Sequence, residues 1–317
     1  MRVERALKEE AEYGSPVQLI HHEGPKAKKH LLQVVKEGTG LWVGDVNECL
    51  LHLPKEPIFD LVVTSPPYNL GKEYEKREAL EHYLEWQKSI IDEIVPRLKP
   101  TGSLCWQVGN FIANGQILPL DIEMAPIFKA HGLKMRNRII WTFGHGLHTK
   151  RRFSGRYEVV LWYTKGDDYT FDLDAVRIPA KYPGKRYFKG PKVGELSGNP
   201  LGKNPEDVWD IPNVKNNHCE KTEHPCQFPV GLIERLVLAL TKTGDLVFDP
   251  FAGVGSAGVA AAIHGRRFLG CELMERYAEI GLNRIQAAIE GRAIYRPHDK
   301  PVYDHTTSSL SRRPEEP

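Results

Sequence analysis

From residue 41 onward, short apolar runs alternate with stretches whose apolar positions recur at helical spacing. Leu41-Trp42-Val43 and Ile58-Phe59-Asp60-Leu61-Val62-Val63 have strand length, and Cys49-Leu50-Leu51 between them predicts a short helix. Across 78–98 the positions Leu80, Leu84, Ile91, Ile94, Val95 and Leu98 share a helical face before Pro100-Thr101-Gly102 breaks the chain. A strand at 103–108 follows, then a helix from about 122 to 131 that stops at Gly132. Arg138-Ile139-Ile140-Trp141 and Glu158-Val159-Val160-Leu161-Trp162-Tyr163 predict two neighbouring strands. Helical spacing returns after Pro229 with Leu232, Ile233, Leu236, Val237 and Leu240. Strand, glycine-rich turn, helix and strand then run from Leu246 to Glu272, and a last amphipathic helix carries Ile280, Ile285 and Ile289. Strands joined by helical segments predict parallel crossover units, hence an α/β fold.

Three stretches lack this periodicity. Residues 1–38 are polar, with Gly14-Ser15-Pro16 and Gly24-Pro25-Lys26 as breakers, and read as a loosely structured N-terminal arm. Residues 165–223, rich in Gly, Pro, Lys and Asn, read as an inserted lobe, because structureless stretches of that length inside a domain are often functional. Residues 297–317 read as a disordered tail. The periodic remainder divides at the insertion into 39–164 and 224–296.

Composition narrows the class without choosing it. No apolar run approaches the roughly 18 residues of a membrane span, and residues 1–6 lack the apolar segment of a signal peptide, so a cytoplasmic protein is expected. Five scattered cysteines, none in a CxxC pair, indicate free thiols rather than a disulfide framework or a metal site. A net charge of +2 decides nothing by itself. Local clustering says more: the acid-free loop 144–156 carries Lys150, Arg151, Arg152 and Arg156, and the acid-free run 181–192 carries Lys181, Lys185, Arg186 and Lys189 among aromatics and glycines. Cations interleaved with rings suit phosphates and bases, although solvated loops have the same composition.

Two stretches carry candidate chemistry. Thr64-Ser65-Pro66-Pro67-Tyr68-Asn69-Leu70 leaves an apolar strand through two prolines, which forbid both helix and further ladder pairing. The rigid exit presents the Ser65 hydroxyl, backbone carbonyls and an aromatic face together, as needed to hold a planar base by its amino group. The second stretch, Asp249-Pro250-Phe251-Ala252-Gly253-Val254-Gly255-Ser256-Ala257-Gly258, joins strand to helix, and such a turn brings free amides close to a ligand. Glu272 follows Gly253 by 19 residues, about the spacing at which a carboxylate meets adenosine ribose hydroxyls. The same glycines satisfy GxGxxG, so a dinucleotide-dependent oxidoreductase is an alternative, although no hydride-transfer domain is evident. Pro225-Cys226-Gln227 matches the nucleophile tripeptide of cytosine C5-methyltransferases but lies upstream of the glycine turn and before a helix, so Cys226 reads as incidental.

Taken together, Thr64-Ser65-Pro66-Pro67-Tyr68 and Asp249-Pro250-Phe251-Ala252-Gly253-Val254-Gly255-Ser256 resemble the catalytic and cofactor motifs of the S-adenosylmethionine-dependent DNA amino-methyltransferases. The catalytic motif comes first by about 180 residues, and His224-Pro225-Cys226-Gln227-Phe228-Pro229 precedes the cofactor strand, an order that resembles the permuted beta class. Ser256 stands where that family commonly has Thr. The resemblance covers about 40–290 and implies a doubly wound, mostly parallel, Rossmann-like sheet with one antiparallel strand near an edge and an inserted target-recognition region. It implies Ser65, Pro66, Pro67 and Tyr68 as catalytic. Asp249, Phe251, Gly253 and Gly255 would hold the methionine part of S-adenosylmethionine, Glu272 its ribose and Asp45 its adenine; His224 and Gln227 would lie near its carboxylate end, and Thr64, Pro250 and Ser256 would also belong to the cofactor site. Double-stranded DNA is the implied partner, held by the basic loop and lobe, with a cognate restriction endonuclease and a homodimer as further possibilities. Ser at the first motif position usually accompanies cytosine N4 methylation and Asp adenine N6 methylation, so cytosine is favoured and adenine is the alternative. A catalytically dead relative and an RNA methyltransferase fit the intact cofactor motif and the permuted order less well.

Overall fold

The computed structural model describes residues 16–302 apart from 23–25, 70, 74–76, 114, 145 and 147. Its centre is a sheet of β1 (Gln18–His21), β2 (Thr39–Val43), β3 (Phe59–Thr64), β4 (Leu98–Val108), β7 (Lys134–Thr142), β8 (Tyr157–Thr164), β9 (Val208–Asp210), β10 (Leu246–Asp249) and β11 (Arg267–Glu272), with a separate hairpin of β5 (Asn110–Ala113) and β6 (Gln116–Pro119). The order is β1-β2-β11-β10-β3-β4-β8-β7-β9. Within this sheet only β8 runs antiparallel to its neighbours, β4 and β7.

The apolar runs are continuous because both faces of the sheet are covered. From Leu61 on, successive side chains of β3 point to opposite cores, after a register irregularity that follows Phe59: Phe59 and Val62 join the core under α1 (Ala27–Glu37), α2 (Val46–His52), α3 (Leu80–Arg97) and α4 (Leu120–Ala130), while Leu61 and Val63 join the core under α5 (Val230–Leu240), α6 (Ser256–Ile263) and α7 (Glu275–Ile289). β10 alternates likewise, and its Phe248 stacks on Phe59 with ring centroids 4.3 Å apart. At about 1.5–3 kcal/mol per large apolar side chain fully buried, these two adjacent strands are firmly held, and so are the roots of the loops they feed.

The crossover from β3 leads to β4 on one side, and that from β10 leads to β11 on the other, so the strand order reverses between β3 and β10. A crevice opens at the carboxyl ends of strands at such a reversal. The two motif stretches begin there.

Three of the sequence expectations need correction. Residues 18–21 and 27–37 are not a loose arm: β1 pairs in parallel with β2, and α1 buries Ala27, Leu31 and Val34. The four-residue strand is too short to show a period, whereas Ala27, Leu31 and Val34 do recur at helical spacing and were a readable signal; it is the edge of β2 that gives both a partner. The 165–223 insertion is not one irregular lobe either. Phe171 stacks on Trp162, Asp172 donates its amide to the Ala239 carbonyl, and β9 pairs with β7, leaving 181–196 as a largely exposed stretch. Residues 297–302, assigned to the tail, are partly tied down by hydrogen bonds from the His298 amide to Glu234 and from Arg235 to the His298 carbonyl; residues 303–317 lie outside those described. Among the described residues no helix is long and apolar enough to cross a membrane.

Candidate active site

Both motif loops open onto one cavity of about 460 Å³ at the carboxyl ends of β2, β11, β10, β3 and β4. That volume is of the size that encloses a small-molecule ligand.

On the β10–β11 side, β10 ends in Asp249, which is fully buried. Its Oδ1 accepts from the Thr64 hydroxyl at 2.6 Å and from the Phe251 amide at 3.0 Å. One carboxylate therefore ties the exit of β3 to the glycine turn. Its Oδ2 is buried with no partner among the described residues, and burial pushes the acid up to about 7. Gly253 at φ 51° and Gly255 at φ 73° take the left-handed backbone the turn needs, and Gly253 packs beside the His224 ring. Glu272 accepts from the Gly253 and Met274 amides at 2.9 and 2.8 Å, and burial raises its carboxyl as well. His224 packs edge-on to Tyr277 at 4.5 Å and accepts the Cys226 amide on Nδ1, while burial lowers it to about 4, so the ring is neutral near pH 7.

On the opposite side, the Pro66-Pro67 exit turns through Asn69, which sits at φ 60° and clamps Glu78 by bonds to both its amide and its carbonyl. The Ser65 hydroxyl lies 3.1 Å from the Tyr68 hydroxyl, which is 2.5 Å from Gln107 Oε1 and 3.2 Å from Glu158 Oε2; Gln107 also donates to Glu158. Tyr83 donates to the Pro67 carbonyl at 2.8 Å. Burial raises both Tyr68 and Glu158, so the phenol stays protonated and donates. Gly109 lies against the Tyr68 ring, where a side chain would crowd it, with 3.2 Å from a Cβ to the nearest ring atom. Trp86, Trp141, Phe143 and Phe251 complete an aromatic wall.

Of the expected cofactor residues, Asp45, His224, Gln227, Pro250, Phe251, Gly253 and Glu272 line the cavity. Thr64, Asp249, Gly255 and Ser256 do not; they sit behind it. Asp45 also caps α2 by accepting from the Asn47 amide at 2.7 Å. The Gln227 amide turns into its own loop, bonding Thr222 and the Glu220 carbonyl, and the Ser256 hydroxyl meets Arg284 at 3.3 Å. All four residues expected to be catalytic line the cavity.

The two basic segments part company. β7 runs parallel to β4 in direction, so the 143–156 connection leaves from the cavity's edge of the sheet, and Phe143 and Glu158 at its roots line the cavity. Lys150, Arg151 and Arg152 are exposed on it, and Arg156 is half-buried. Lys181, Lys185, Arg186 and Lys189 are also exposed, but no residue from 165 to 212 lines the cavity. That lobe is rooted at an Ile178–Lys203 bridge, outside the paired strands.

Sequence reasoning missed Gln107, Glu158 and Tyr83. Gln107 and Glu158 are lone polar residues in apolar strands, and that exception to the pattern was the available signal. It also missed a second tie between the halves, in which Glu73, just after the Pro-Pro loop, pairs with Arg276 and Tyr277 on α7.

Residues 59–283 match the model of a DNA methylase family comprising N6 and N4 methyltransferases. The chain is 48% identical over 241 residues to the Type II methyltransferase M.BglII of Bacillus subtilis, covering 76% of this chain and 67% of that one. It is 33% identical over 252 residues to the DNA adenine methyltransferase YhdJ of Escherichia coli K12, covering 77% and 82%. A DNA modification methylase of Thermus thermophilus, solved with S-adenosyl-L-methionine, superposes with a TM-score of 0.58 at 31% identity, over 80% of this chain and 95% of that one. The cytosine-N4-specific PvuII DNA methyltransferase shares the fold, with a TM-score of 0.62 at 21% identity over 81% and 94%.

Proposed function

We propose that this chain, which belongs to the N6/N4 DNA methylase family and is an S-adenosylmethionine-dependent DNA amino-methyltransferase, methylates N4 of cytosine. The observation that carries this reading is Ser65: the first position of the Pro-Pro-Tyr loop holds a neutral hydroxyl at the cavity surface rather than a carboxylate. Adenine N6 is the competing target, since a relative of comparable coverage is an adenine methyltransferase.

The residues present suit the cofactor. The unpartnered Oδ2 of Asp249 is a buried acceptor beneath the glycine turn, and Glu272 and Asp45 offer carboxylates along the same wall. Asp249, Pro250, Phe251, Gly253 and Gly255 would hold or shape the site for the methionine part, with Thr64, His224, Gln227 and Ser256 supporting the turn. Glu272 would hold the ribose and Asp45 the adenine. Bound S-adenosylmethionine supplies a methyl group made electrophilic by its sulfonium.

An exocyclic amino nitrogen is a poor nucleophile because its lone pair is delocalised into the base. Ser65 Oγ and the Pro66 carbonyl would accept its two hydrogens, favouring a tetrahedral nitrogen with its lone pair free to attack. Tyr68 would stack on the base, its phenol fixed by Gln107 and Glu158. The target base is inaccessible inside a duplex, so it must leave the stack. Positioning and placed acceptors then supply the acceleration without a covalent intermediate. Trp86, Trp141 and Phe143 would exclude water.

On this reading 39–164 is the catalytic half, 224–296 the cofactor half and 165–223 the recognition region. Lys150, Arg151, Arg152, Arg156, Lys181, Lys185, Arg186 and Lys189 would hold phosphates. A cognate endonuclease and a homodimer belong to the same proposal. The test is expression in a methylation-free bacterial host, followed by nucleoside mass spectrometry and sequencing of modified positions. N4-methylcytosine at one short sequence is expected; N6-methyladenine would overturn the cytosine assignment.

A further inference from the structure

The 143–156 loop holds one side chain that neither the cavity nor the basic residues account for. Phe153 is 98% exposed, next to the cations Lys150, Arg151 and Arg152. Its presentation is not that of a slack strand. The loop is closed at its base by the Phe143 amide on the Arg156 carbonyl at 3.0 Å. Within it, the Ser154 hydroxyl accepts the Thr149 amide at 3.2 Å, and the Thr149 hydroxyl donates to the Arg152 carbonyl at 2.5 Å. Phe153 therefore sits on a built turn that rises from the cavity rim.

The lobe has exposed rings too, and they behave differently. Tyr182 and Phe188 each lie beneath the ammonium of a neighbouring lysine, Lys181 at 5.6 Å and Lys189 at 5.5 Å. A ring covered by its own cation is suited to a charged surface. A bare ring between cations, beside a cavity built for a planar base, is suited to an apolar slot bordered by phosphates.

We propose that Phe153 is the wedge that enters the DNA stack when the target base leaves it. This rests on the reading of the cavity as a site for a flipped base. Extruding a base removes its stacking and leaves a gap in the helix. An apolar side chain inserted between base steps fills such a gap, while cations on the same loop hold the adjoining phosphates. Phe153 is thus a positioning residue acting through the DNA. Lys150, Arg151 and Arg152 fix the loop on the backbone, and the cavity receives the base.

The test uses the full-length protein and a duplex oligonucleotide bearing the methylated sequence identified by sequencing. Methylation by the wild-type protein is established first, and its absence would refute the methyltransferase reading rather than the wedge. With that in hand, Phe153→Ala is expected to bind the duplex within about threefold of wild type. It should lose about tenfold or more in single-turnover rate, and most of the fluorescence rise of 2-aminopurine placed at the target position. Phe153→Trp should retain both signals. Mispairing the target base lowers the work of extrusion, so Phe153→Ala should regain most of its rate on a mismatched duplex. Wild-type rate and fluorescence in Phe153→Ala would overturn the proposal, as would an equal rate loss on paired and mismatched duplexes.

Discussion

The two sides of the cavity are held by different means. On the β10–β11 side the acids are answered mostly by backbone: Asp249 by the Phe251 amide together with the Thr64 hydroxyl, Glu272 by the Gly253 and Met274 amides. On the β3–β4–β8 side, side chains answer one another, with Ser65, Tyr68, Gln107 and Glu158 joined in one hydrogen-bonded cluster. A cradle of amides depends on turn geometry, so glycines and one anchoring acid control it. A cluster of side chains is cooperative, and a change at any member disturbs the rest. The first arrangement suits a ligand that must be held the same way every cycle, the second a group whose charge changes during reaction.

Ser65→Ala gives the largest expected separation between the two sides. On the proposed mechanism Ser65 accepts from the reacting amino group, so its loss should lower single-turnover rate by about 10²–10³-fold and leave cofactor affinity, measured by calorimetry, within about twofold. An equal loss of affinity would show that the two sides are not separable.

Asp249→Asn comes next and should do the reverse. The amide oxygen can still accept from Thr64 and Phe251, but the charge at the unpartnered oxygen is lost. S-adenosylmethionine should then bind about tenfold or more weakly, in keeping with a charged hydrogen bond of roughly 1.5–3 kcal/mol, while circular dichroism and thermal unfolding show a folded protein. Undiminished affinity would remove Asp249 from the cofactor side.

The smallest effect is one of pH. Burial holds Asp249 at about 7, above the ordinary 3.8. Its contribution to folded stability is therefore complete below the ordinary value and is lost as pH rises towards about 7. A cationic ligand group favours the ionised form, so affinity should move the other way, being about tenfold weaker at pH 6 than at pH 8. His224, lowered to about 4, does not titrate in that window. Asp249→Asn should flatten the profile; a slope that survives would assign it to Glu272, whose carboxyl burial also raises.

How much of the site could be read beforehand depended on how local its signal was. Ser65, Pro66, Pro67 and Tyr68 announce themselves because two prolines after an apolar strand leave few backbone choices. Gly253 and Gly255 do so because a strand-to-helix turn requires positive φ. Gln107 and Glu158 lie on different strands, 51 positions apart, and are polar for a reason visible only when β4 and β8 pair. The inward turn of Gln227 and the capping of α2 by Asp45 were likewise invisible, since motif matching assigns a residue to a site without saying where its side chain points.

The two basic segments show the same limit. Both are acid-free and basic, and charge composition treats them alike; strand direction alone puts the loop on the cavity rim and roots the lobe elsewhere.

By itself the sequence determined the α/β class, the permuted motif order, the rigid Pro-Pro exit and the glycine turn, because each depends on torsional limits and hydrophobic period within a few neighbouring residues. Tertiary structure alone decided that Thr64 and Asp249 share a hydrogen bond across 185 positions and that Gln107 and Glu158 brace Tyr68. It also made residues 18–21 and 27–37 part of the fold. Those outcomes depend on which strands become neighbours, and that choice is made by burying both faces of the whole sheet at once.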